Sequence, residues 1–86
     1  MQQTINEQIS VVFIYNSQLG NMKPTGLRWN GRLYKITQWG YHHKIKQGTT
    51  LNHIFSVASE NLAFRLRLDT DTLTWYLDEI SDGMPN

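Results

Sequence analysis

The sequence predicts an all-β fold, a single small antiparallel meander of about six strands curled into a small barrel or a strongly bent sheet. Three observations carry that expectation. Asn30-Gly31 lies between two runs of alternating residues, and Asn-Gly suits a two-residue type I′ hairpin because both central positions need positive φ. Residues 62–68 alternate cleanly, with Leu62, Phe64, Leu66 and Leu68 on one side and Ala63, Arg65 and Arg67 on the other. Finally, no stretch of about ten residues keeps a helical period. Eighty-six residues make one domain, which buries roughly 60–65% of its extended surface.

Taken in order, residues 1–8 are polar and aperiodic, so they are expected to fray as a disordered segment. The β-domain is expected over 9–80. Its first strand, 9–15 (ISVVFIY), is apolar on both faces, which suits burial on both sides or an interface. Residues 16–23 read as a loop around Gly20-Asn21, with Pro24 beginning the next strand. The Asn30-Gly31 turn sets Trp29 opposite Arg32, Arg28 opposite Leu33, Leu27 opposite Tyr34 and Thr25 opposite Ile36. One face then carries Leu27, Trp29, Tyr34 and Ile36 and the other Arg28, Leu33, Lys35 and Thr37. The second strand of this hairpin continues past a bulge or bend at Gly40 as far as Ile45. Residues 46–49 turn, 51–58 form a strand, 59–61 turn again, and 69–72 join 62–68 to a last strand over 73–80. That turn pairs Leu66 with Trp75, Phe64 with Leu77 and Arg65 with Tyr76, and brings Asp78 diagonally to Arg65. Residues 81–86 read as a loose tail.

Net charge is +1, but it is unevenly spread: six cations and no acid lie between Glu7 and Glu60, and from Glu60 onward six acids face two arginines. Such asymmetry marks a nucleic-acid surface, two mutually attracting halves of one barrel, or a head-to-tail dimer. With no cysteine, disulfides and thiolate metal sites are excluded. No apolar run reaches the ~18 residues of a membrane helix, and residues 1–8 lack signal-peptide character. A cytoplasmic protein without membrane contact is therefore expected.

The candidate binding residues are Arg28, Lys35, Trp39, Tyr41, Lys44 and Lys46, because single-stranded nucleic acid is held by cations on phosphates and aromatic faces on bases. Trp29 and Tyr34 fall on the apolar face and are assigned to the core, with Arg32 lying over the Trp29 ring. His42 and His43 point to opposite faces, and His53 can approach one of them across the 46–50 turn. A zinc site needs three or four ligands, and nothing completes one, so neither metal nor cofactor is expected. Asp69 and Asp71 suit a turn for backbone reasons. No phosphate loop or activated nucleophile is evident, so the chain is expected not to be an enzyme. Val11, Val12, Phe13 and Ile14 load both faces of the first strand, which calls for burial in a closed barrel or pairing with a second copy.

The run P-x-x-L-R-W-x-G-R-x-Y-x-I over 24–36, with HIFSV at 53–57, FRLRLDT at 64–70 and TWYLDEISDG at 74–83, resembles a family of small bacterial β-domains without an assigned function. In some relatives of that family a similar module accompanies DNA-repair polymerase proteins of the translesion type. The resemblance implies the fold and a nucleic-acid or repair-complex role, and transfers no catalytic residue. The expected function is a non-catalytic binding module for single-stranded nucleic acid through 28–46, the alternative being a protein-interaction or self-assembling, homo-oligomeric domain.

Overall fold

A computed structural model describes residues 2–82 as seven antiparallel strands in one sheet. They are β1 (Gln2–Asn16), β2 (Asn21–Trp29), β3 (Arg32–Lys35), β4 (Gln38–Gln47), β5 (Thr50–Ser59), β6 (Leu62–Asp69) and β7 (Thr74–Asp82), in the order β3-β2-β1-β7-β6-β5-β4. The sheet is strongly bent and is not closed by a ladder. Its curvature is seen in the Tyr34 ring of β3, whose centroid lies 5.2 Å from that of Phe64 on β6 although β2, β1 and β7 intervene. The core so enclosed includes Leu27, Ile36, Phe55, Val57, Phe64, Leu66, Leu68, Trp75, Leu77 and Ile80.

The central hairpin takes the register its turn dictates, with Trp29 opposite Arg32 and Leu27 opposite Tyr34. Asn30 and Gly31 have φ of 56° and 77°, the positive values a type I′ turn requires. Leu27 and Ile36 are buried, and Trp29 and Tyr34 pack half-buried against the core. Arg32 lies over Tyr34, at 4.9 Å, and not over Trp29.

Seven strands stand where six were expected because the strand after the hairpin changes partners. The Ile36 N–H bonds the Thr25 carbonyl of β2, while the next N–H, that of Thr37, bonds the Ala58 carbonyl of β5. Two successive peptides thus bond to β2 and β5, the second strand in from each end of the sheet. The expected irregularity near Gly40 is present as a register shift between Trp39 and His42.

Residues 2–8 do not fray; they form the first half of β1 and pair with β7, Gln2 opposite Ser81 and Glu7 opposite Leu77. Polar side chains hide this strand from a pattern search, but they are used: Trp29 donates its indole N–H to Glu7 at 2.9 Å, and Arg67 donates to Asn6 at 3.2 Å. Ile5 and Ile9 pack on the core. The second half of β1 pairs with β2 instead. The apolar stretch there is not buried on both faces: Val12, Ile14 and Tyr15 are about 60% exposed. Pro24 sits inside β2 and does not begin it. It is tolerated where the β1 register shifts between Val12 and Phe13, the bulge position that spares a ladder N–H.

The β6–β7 register lies two residues from the expected one: Leu68 faces Trp75 and Leu66 faces Leu77. The cause is Leu73, expected to open the last strand with its side chain inward, which instead belongs to the turn with φ 56° and is 74% exposed. A further register shift between Arg65 and Leu66 sets Arg65 opposite Glu79, so the ion pairs are Arg65 with Glu79 and Arg67 with Asp78, in place of Arg65 with Asp78. Ser81 and Asp82 belong to β7 rather than to a loose tail; residues 83–86 lie outside the described residues. Among the described residues no helix is long and apolar enough to cross a membrane.

Candidate binding cleft

Where β2 runs past the end of β3, its first residues face the start of β4 across an open seam. Trp39 bridges it. Its indole N–H donates to the Pro24 carbonyl at 2.7 Å, and the Lys23 ammonium lies 3.8 Å from its ring centroid. The seam holds a cleft of about 200 Å³, lined among others by Met22, Lys23, Trp39, Tyr41, His42 and Phe55. The bulge at Gly40 is what sets His42 opposite Phe55, where an unbroken ladder from Trp39 opposite Val57 would put Tyr41.

From this cleft an unbroken run of rings crosses the sheet. His42 stacks on Phe55 at 4.1 Å, Phe55 lies 5.5 Å from Trp75, and Trp75 lies 5.7 Å from Phe13. His53 flanks the run at its cleft end, with His42 Nε2 and His53 Nδ1 2.8 Å apart. Burial lowers the pKa of both histidines below 6.5; the charge of His53 then adds to the effect on His42, and Lys44 adds to both. A neutral pair, one ring donating and the other accepting, fits that hydrogen bond. Among the described residues no three His, Cys, Asp or Glu side chains are grouped to hold a metal ion.

The six residues read from the sequence fall in three places. Trp39 and Tyr41 share the cleft, Tyr41 also stacking on His43 at 4.7 Å. Lys44 and Lys46 follow on the edge strand β4, opposite His53 and Leu51, where exposed lysines also discourage strand addition. Arg28 and Lys35 lie elsewhere, on the hairpin surface beside Leu33. Lys23, His42 and Phe55 were missed as cleft residues. Lys23 was legible as a cation next to Pro24; the approach of β2 to β4 was not, because it depends on how far the whole sheet bends.

Compared with protein-family models, curated proteins and solved structures, the chain matches none.

Proposed function

We propose that the chain is a non-catalytic binding module for single-stranded nucleic acid, with the open seam as its binding site. One observation carries the reading: a cleft between strands gathers Trp39, Tyr41 and Lys23, with Lys44 and Lys46 farther along β4. Aromatic faces beside cations are what base stacking and phosphate binding need together. In the free protein the Lys23 ammonium covers one face of Trp39, a contact worth about 0.5–1 kcal/mol. A strand phosphate draws Lys23 aside and opens that face to a base. The resemblance to modules that accompany repair polymerases points the same way. Arg28 and Lys35 lie outside this site.

Amide chemical shifts of labelled protein, titrated with a short mixed-sequence single strand, test the proposal. Shifts should centre on Lys23, Trp39, Tyr41 and Lys44. Three phosphate contacts, through Lys23, Lys44 and Lys46, give a log–log salt slope of about −2, from ~0.7 per contact. Silence at low salt would overturn the reading.

A second reading, a protein-interaction or self-assembling domain, is favoured by the exposed apolar residues Val12, Ile14 and Leu33.

A further inference from the structure

The outward surface of β1, β2 and β3 carries a shallow cavity of about 250 Å³, lined by Val12, Thr25, Gly26, Leu33, Tyr34 and Lys35. Gly26 forms its floor, on the middle strand, with Val12 opposite on one side and Lys35 on the other. The fold does not demand a glycine there. Its φ is not in the left-handed region, and an added Cβ would meet the Tyr34 carbonyl oxygen at 3.5 Å and Val12 at 3.9 Å, both ordinary contacts. A glycine inside a strand gives up packing and ordering entropy, and often marks where another chain approaches closely. Val12 and Leu33 on the rim are 60% and 59% exposed, and Arg28 beside Leu33 and Lys35 supply positive charge.

The β6–β7 turn is complementary to this hollow. Leu73 is a bulky residue held at φ 56° and 74% exposed, an arrangement rare for such a side chain. The turn is braced: Asp69 accepts the N–H groups of Asp71 and Thr72, and Asp71 accepts the Thr50 hydroxyl at 2.6 Å. It therefore presents one apolar knob flanked by two carboxylates.

We infer that the hollow over Gly26 receives the Leu73 turn of a second copy of this chain, with Asp69 and Asp71 facing Arg28 and Lys35. The inference rests on the second, protein-interaction reading and is independent of the seam. Each seated Leu73 removes apolar surface from both copies, and the opposite charges fix which surfaces meet.

The test is sedimentation of the full chain over a wide concentration range, with Leu73→Ser and Gly26→Gln as variants and Leu33→Glu as an alternative should Gly26→Gln fail to fold. The wild type should associate as concentration rises, and either variant should weaken association about tenfold or more. Mixing the two variants restores one intact knob with one intact hollow and should recover a pair tighter than either variant forms alone. A wild type that stays monomeric, variants that associate like it, or a mixture that recovers nothing would each overturn the inference. A photoreactive group at position 33 separates this failure from that of the broader reading. Adducts to a different protein, with the wild type monomeric, overturn self-docking and leave an interaction face; no adducts overturn both.

Discussion

β5 and the second half of β1 meet water very differently. From Ile54 to Ser59 every residue of β5 is buried, two serines and an alanine included. In β1, the more apolar Val12, Phe13, Ile14 and Tyr15 are all exposed by 45% or more. The difference lies in neighbours. β5 is paired along this length by β6, and it has β4 on its other side. Its outward Ile54 lies between His43 and Arg67, and Ser56 lies opposite Arg65, so long side chains cover short ones. Past Ile9, β1 has left β7 and keeps only β2. Exposure here follows the number of adjacent strands more than the hydrophobicity of the run.

The contrast is open to attack by mutation. Phe55→Ala and Trp75→Ala, on the enclosed side, should each cost about 3–5 kcal/mol, enough to unfold a domain of this size at moderate denaturant; a loss under about 1 kcal/mol in an equilibrium melt would mean the core is not where the burial places it. Trp29→Ala removes a half-buried ring and its bond to Glu7, and should cost about 2 kcal/mol. Gly26→Ala, on the open side, should stabilise by about 0.4–1 kcal/mol by restricting the unfolded chain. A destabilised Gly26→Ala would show that the hollow is a requirement of the fold. Ile14→Ser, despite removing a large aliphatic side chain, should stay within about 0.5 kcal/mol of wild type.

The smallest expected effect is the pH response of the histidine pair. Because the folded protein lowers the pKa of His42 and His53 below 6.5, the unfolded chain binds protons more readily. Their contribution is fully present above about pH 6.5 and declines as pH falls below that value, levelling off beneath the folded pKa values. Denaturation midpoints measured across that window should fall for the wild type and fall less for His42→Phe, which keeps the stacking on Phe55. An equal fall in both would assign the response to other groups.

What the sequence made legible was local. Asn30-Gly31 dictated the hairpin register without help from the rest of the chain, and alternation placed Phe64, Leu66 and Leu68 inward. Features that depend on distant partners escaped. Residues 2–8 carry no strand pattern because the ladder with β7 holds them and their polar side chains serve Trp29 and Arg67. The β6–β7 register slipped by two because nothing nearby announces that Leu73 adopts positive φ. At the cleft, Trp39 and Tyr41 were recognisable as aromatics in basic surroundings; that Lys23 and Phe55 join them, while Arg28 and Lys35 do not, depends on the path of β2 past β4. Leu33 did leave a trace, as an apolar residue on the charged side of the hairpin.

The pairing of β1 with β7 has a consequence in time. A ribosome adding about 5–20 residues per second emits Gln2–Gln8 several seconds before the strand that will hold it. Throughout that interval the segment lacks the ladder partner it has in the folded protein. Six of its seven residues are polar, Ile5 being the exception, so it shows little apolar surface to other chains until its partner strand arrives.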